Sequence, residues 1–258
     1  MQNKPLVGRR ALVTAGASGI GKAAAMALAD AGCTVHICDI DPAFMTSCLE
    51  ERPDITGTLA DIGNEADIHR VFEDADRRLG GLDILFNNAG IGGPSGRVDT
   101  LKSEDWRRTI DVNLTGQFLC AQQAVPRFLS AGGGTLVNMS SVAGRLAYPN
   151  RTPYAATKWA IVGLTKTLAV ELGPLGIRCN ALMPGVVAGP RIERLIQNRA
   201  AEAGRSPESV RDELLGKVSL RQMVTAEDVA RMVVYLCSPA GQAISGQAIS
   251  ICGNVESL

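Results

Sequence analysis

Aromatic residues make up only 4% of this 258-residue chain, and there are two histidines. His36 lies in the strand-like TVHICDI and His69 in the polar EADIHRVFEDADRRLG. Neither has a second histidine or a cysteine at ligand spacing, so no metal site is expected and both read as packing or surface residues. The seven cysteines are odd in number and scattered, with no CxxC pair. That pattern fits the reduced thiols of a cytoplasmic protein and gives no disulfide framework. An excess of charge is also missing: 26 Lys+Arg balance 26 Asp+Glu, and no basic block stands out. A nucleic-acid partner is therefore not expected. No apolar run approaches the roughly 18 residues of a membrane helix, and the ALV of MQNKPLVGRRALVTAG is too short for the apolar core of a signal peptide. Membrane association is not expected either.

What the chain has is 46% hydrophobic residues and 28 glycines, enough to bury a full core. Short Val/Ile/Leu-rich runs (RALVTA, TVHICDI, LDILFNN, GTLVNMSS, GIRCNALMPG, QAISICG) alternate with longer helical stretches. Strands that are apolar at nearly every position are covered on both faces, and helices between them imply parallel crossovers. The expected fold is α/β: a single Rossmann-type doubly wound parallel sheet flanked by helices, with residues 1–258 as one domain. The loosest stretch, 189–216, mixes charge and glycine after a strand, and reads either as a surface helical pair or as a helical insertion covering a substrate.

The first strand runs into TAGASGIGKAAAMALA, with Gly16, Gly19 and Gly21 at the turn into a helix. The free N–H groups of such a helix start suit a diphosphate, although a tight turn without ligand has the same composition. The GxSxG nucleophile elbow fails because Ile20 stands at its last glycine. The second strand ends at Asp39, about twenty residues further on, where a carboxylate can accept from an adenosine ribose. A carboxylate there repels a 2′-phosphate, and neither Ser18 nor Ile40 supplies a cation, so NAD is favoured over NADP. The competing reading of Asp39 is a helix cap, since DIDP also suits a helix start.

In RTPYAATKWA, Tyr154 and Lys158 lie four apart, on one face of a helix. A free phenol, with a pKa near about 10, is a poor base at neutrality, and a nearby cation favours the phenolate. The pair could thus exchange a proton with an alcohol or carbonyl; a lone YxxxK is equally a packed tyrosine beside a snorkelling lysine. Ser140 and Ser141 close the strand GTLVNMSS just upstream, at the strand end where open α/β sheets bind ligands. NNAG closes another strand, and Asn113 sits inside the helical DVNLTGQF, where its amide has no propensity reason to be.

Taken in order, VTAGASGIG, Asp61, NNAG, Asn113, SS, YAATK and IRCNALMPG resemble the classical short-chain dehydrogenase/reductase family over nearly the whole chain. The resemblance implies Tyr154 as general acid/base, and Lys158 as the residue that lowers its pKa and bonds the nicotinamide ribose. It implies Ser141 as the hydroxyl polarising the substrate oxygen, with Ser140 its neighbour, and Asn113 as holder of a water in a proton relay. For the cofactor it implies the turn Gly16, Ser18, Gly19, Ile20 and Gly21, with Asp39 and Ile40 after the second strand. It adds Asp61 and Ile62 beside adenine, Asn88, Ala89 and Gly90 beside the adenosine half, and Pro184, Gly185 and Val187 near the nicotinamide amide. A homotetramer is implied as well.

Two positions depart from the family pattern: Ala15 replaces the first glycine of TGxxxGxG, and Cys252 stands where an aspartate is frequent. Loops expected near the substrate contribute Arg97, Arg145, Arg151 and Arg191, suited to a sugar acid or other hydroxylated anion, or else to solvated surface. A 3-oxoacyl-thioester reductase is the alternative enzyme, and a non-catalytic dinucleotide sensor the alternative of another class.

Overall fold

The computed structural model describes residues 4–255. Seven strands form one sheet: β1 (Arg10–Thr14), β2 (Thr34–Asp39), β3 (Thr56–Leu59), β4 (Ile84–Asn87), β5 (Gly134–Met139), β6 (Ile177–Pro184) and β7 (Ala248–Ile251). Their order is β3-β2-β1-β4-β5-β6-β7, with every neighbouring pair parallel. The direction of strand addition reverses between β1 and β4, which places the ligand crevice beyond their carboxyl ends. β3 escapes the reading of apolar runs because TGTL is four residues long with glycine and two threonines.

Alternation along the strands divides the core between two faces. Ala11, Val13, Ile37 and Phe86 face α1 (Gly19–Asp30) and α9 (Ala226–Cys237), meeting Leu28, Val233 and Leu236. Leu12, Leu85 and Leu136 face α3 (Glu65–Leu79) and α5 (Gly116–Ser130), meeting Val71, Phe72, Ala124 and Phe128. The remaining helices are α2 (Pro42–Glu51), α4 (Ser103–Ile110), α6 (Thr152–Leu172), α7 (Pro190–Ala203) and α8 (Pro207–Gly216). The stretch 189–216 is thus a helical pair, α7 and α8, stitched by its own small apolar cluster of Ile196, Ala200 and Val210.

His36 is a core residue. Its ring nitrogens meet the hydroxyls of Thr56 (2.7 Å) and Thr58 (3.0 Å), and burial pushes its pKa down to about 4, which keeps it neutral.

Candidate active site

The turn after β1 supplies an anion cradle. Ser18 is the N-cap of α1 but makes no side-chain cap bond, and the first turn of the helix holds no acidic residue. Its leading N–H groups are therefore not taken by a side-chain cap, and no fixed negative charge competes for them. The glycines of this turn do different work. A Cβ on Gly21 would lie 1.9 Å from the Ala15 carbonyl oxygen, and one on Gly16 would lie 2.7 Å from Ile37 Cβ, whereas Gly19, at φ +52°, has open space over it. Left-handed backbone is also carried by Ala15, at φ +49°. The departure from the glycine pattern is accommodated by strain at Ala15, since the adjacent Gly16 does not have left-handed backbone.

Asn88 anchors this turn to the end of β4. Its Nδ2 donates to the carbonyls of Thr14 (3.0 Å) and Ala15 (3.2 Å), and the N–H groups of Asn88 and Ala89 both donate to Thr14 Oγ1 at 2.9 Å. Thr14 was not legible as part of the site because it acts on backbone groups. Asp39 is buried and accepts from Ala17 N–H (3.0 Å) and Asp41 N–H (3.2 Å). The cap of α2 is Asp41, which accepts from Ala43 and Phe44, so Asp39 is not spent on capping. Among the described residues no ion pair reaches it. Ile40 is exposed beside it.

On the other side, Asp61 accepts from Gly63 N–H (2.8 Å) and Arg108 (2.7 Å), and Ile62 is buried with its carbonyl against Gly116. Pro184 ends β6. Gly185 is pressed on Cys252, where a Cβ would come within 2.9 Å of the Cys252 backbone, and Val187 bridges to Val224. Cys252 is thus a packing residue beneath this loop.

The proton-handling residues gather where β4, β5, α5 and α6 meet. Lys158 is buried, donates to the Met139 carbonyl (2.8 Å), and lies 5.6 Å from the centre of the Tyr154 ring. Burial, and secondarily the charge of Arg191, lower its pKa to about 7. Gln117, also buried, donates to the same Met139 carbonyl at 3.1 Å. Ser140 donates to the Lys158 carbonyl (2.7 Å), which commits its hydroxyl to the α6 backbone. Ser141 instead only accepts, from Ala143 N–H at 3.2 Å, and keeps its proton for another partner.

Asn113 sits in a π-helical turn, Asp111–Thr115, between α4 and α5. Such wide turns recur at functional sites. Its amide clamps the loop after β4, accepting from Ile91 N–H (2.7 Å) and donating to the Ile91 carbonyl (2.9 Å) and to Thr157 Oγ1 (3.2 Å). Thr157 donates in turn to the Tyr154 carbonyl (2.8 Å). Gly90 lets these parts close up: a Cβ there would stand 3.3 Å from both Asn113 Oδ1 and Lys158 Nζ.

Of the four arginines, Arg151 and Arg191 come to the tyrosine, each with its guanidinium 5.8 Å from the centre of the Tyr154 ring. Arg97 is exposed and paired with Asp99 (2.6 Å). Arg145 donates to the Val255 carbonyl (3.4 Å) and Cys252 sulfur (3.8 Å), tying the strand end to the C-terminal loop. Tyr148 meets Tyr154 edge to face, with centroids 6.3 Å apart.

Known proteins carry the same arrangement of chain. A family model described as enoyl-(acyl carrier protein) reductase matches residues 14–254. The 3-oxoacyl-[acyl-carrier-protein] reductase of Thermotoga maritima is 35% identical, covering 97% of this chain and 98% of its own. Human dehydrogenase/reductase SDR family member 4 is 34% identical over 98% of this chain and 89% of its own. Among solved structures, an NAD+-bound xylitol dehydrogenase superposes with a TM-score of 0.91 at 27% identity, covering 96% of this chain and 99% of that one. A 7α-hydroxysteroid dehydrogenase in complex with NADH and a 7-oxo bile acid gives 0.87 at 30% identity, covering 98% and 96%.

Proposed function

The chain belongs to the short-chain dehydrogenase/reductase family of oxidoreductases acting on alcohol and ketone groups, and from that premise we propose an NAD-dependent enzyme that interconverts a secondary alcohol and its ketone. The observation that carries this reading is the buried Lys158 beside Tyr154, at the end of the sheet where the uncapped α1 and Asp39 form a dinucleotide cradle. Bound NAD supplies the hydride acceptor.

The side chains then divide the proton's work. Ser141, with its proton free, donates to the substrate oxygen and orients it. Tyr154 takes the hydroxyl proton as phenolate during oxidation and returns it during reduction. Lys158, held by Met139, places a positive charge next to that phenolate once the phenolate's own charge favours the protonated amine. The carboxyl of Asp39 receives the hydroxyls of the adenosine ribose, and its charge disfavours a 2′-phosphate. Asn113 and Thr157 support the path from Lys158 outward.

Two relatives act as the reading requires: the xylitol and 7α-hydroxysteroid enzymes carry NAD or NADH in their structures. A 3-oxoacyl-thioester reductase is the second reading, favoured by the similarity to the Thermotoga maritima enzyme. A dinucleotide sensor without turnover is the third. Nicotinamide absorbance followed with NAD or NADP and a panel of sugars, sugar acids, hydroxy acids, secondary alcohols and 3-oxoacyl thioesters separates them. Turnover of a free alcohol with NAD is expected. Turnover confined to NADP and thioesters supports the second reading, and NAD binding without turnover supports the third.

A further inference from the structure

Gly92, in the loop after β4, brings two positive charges together. A Cβ at this glycine would lie 2.6 Å from Arg151 Nη2 and 3.0 Å from Arg191 Nη2, so both guanidinium groups converge on one spot. Arg151 is fixed there by donating to the Gly92 carbonyl (2.6 Å), yet its Nε is buried with no acceptor. Burial disfavours its charge, and so does Arg191. Arg191 makes no ion pair among the described residues, and the neighbouring acid, Glu193, is taken by Arg211 (2.9 Å).

Two like charges that converge on one spot repel each other, and the burial of Arg151 weakens the screening by water. Among the described residues neither has a carboxylate partner, whereas exposed arginines such as Arg97 and Arg205 and the half-buried Arg127 each have one. The missing counter-charge is therefore expected to come with a ligand. Its place is set by Tyr154, whose ring centre lies 5.8 Å from each of the two guanidinium groups and 5.6 Å from the buried Lys158 ammonium. Arg151 also lies 5.8 Å from the centre of the Tyr148 ring, which limits how far its head can swing.

We infer that Arg151 and Arg191 form an anion clamp beside the reacting hydroxyl, and that the substrate is a small alcohol or ketone bearing a carboxylate, sulfonate or phosphate. The forked, fixed donors of two arginines match the oxygens of such a group and would hold the carbinol carbon at a set distance from Tyr154. The inference rests on the oxidoreductase reading for its chemistry and on the arginines alone for its anion.

Two readouts separate these. In melting experiments on the full chain, inorganic sulfate is expected to raise the Tm of the wild type. The effect is lost in Arg191→Gln, whose side chain is exposed, and in the Arg151→Gln/Arg191→Gln double variant. In steady-state assays with NAD, gluconate, 3-hydroxybutyrate, glycerol 3-phosphate and 2,3-dihydroxypropanesulfonate are compared with glucitol, 1,3-butanediol and glycerol. At least one anionic alcohol is expected to exceed its neutral counterpart by about 100-fold in kcat/KM, and that ratio to fall about 10-fold or more in Arg191→Gln. Which head group wins distinguishes carboxylate, phosphate and sulfonate. Sulfate that stabilises wild type and variants equally, or not at all, overturns the clamp, as do neutral alcohols that match the anionic ones. Loss of the sulfate effect in the variants with no turnover of any alcohol counts against the oxidoreductase reading alone.

Discussion

At the scale of single residues, the site is built from groups whose ordinary behaviour is altered by their surroundings. Lys158 is a buried amine with its pKa near about 7 against an ordinary 10.5. Between those values the unfolded chain binds a proton that the folded chain does not, so stability rises with pH across that window. Below about pH 7 the full cost of burying the ammonium is present. The Tm of Lys158→Met should therefore exceed that of the wild type by a margin that is largest near pH 7 and shrinks towards pH 9, in scanning calorimetry without cofactor. An unchanging margin would show that Lys158 keeps its charge throughout. Ala15 is the second altered residue. A non-glycine side chain in left-handed backbone costs roughly 1–2 kcal/mol, so Ala15→Gly should stabilise the protein by about 1 kcal/mol in urea unfolding once the greater freedom of glycine in the unfolded chain is subtracted.

At the scale of elements, function depends on where regular structure is interrupted. The π turn Asp111–Thr115 rotates Asn113 onto the loop after β4 and sets Gly116 against the Ile62 carbonyl. A Cβ on Gly116 would stand 2.5 Å from that oxygen and 2.7 Å from Ile62 Cγ2. Gly116→Ala should accordingly cost about 1–3 kcal/mol and weaken NAD binding, because the clash pushes on the segment proposed to contact adenine. Equilibrium unfolding together with a binding titration checks both effects. The turn itself was not legible: DVNLTGQF has helical composition, and nothing in it marks one extra residue per turn. The glycine turn, the strand-end serines and the Tyr154/Lys158 spacing were legible because each is a residue type placed where propensity alone does not ask for it. Thr14, Gln117 and Thr157 escaped because they act on the backbone or through other side chains, and Gly92 because its role is an absent side chain.

At the scale of the whole molecule, the alternation of apolar runs and helices was enough to infer a doubly wound parallel sheet, since strands covered on both faces leave few other architectures. Only the short edge strand β3 lay outside that pattern. The same sheet concentrates the proposed cofactor and substrate groups at its carboxyl edge. On the outside, Phe118 and Leu129 of α5 and Trp159 and Val170 of α6 are exposed apolar residues, each pair about three turns apart on its helix. We propose that α5 and α6 form a subunit interface of a homotetramer, as the family resemblance implies. Light scattering after size exclusion should give the mass of four chains, and Trp159→Glu should lower it. A monomeric mass for the wild type would remove the interface.

In the proposed reaction Tyr154 moves the proton, and NAD, when bound, would supply the hydride acceptor. The most direct measurement is NAD-linked oxidation of the best alcohol by Tyr154→Phe, with NAD binding measured on the same preparation. NAD affinity is expected to be retained while kcat falls by about 10²- to 10⁴-fold, the contribution usual for a positioned acid/base. Turnover by Tyr154→Phe at the wild-type rate would contradict it.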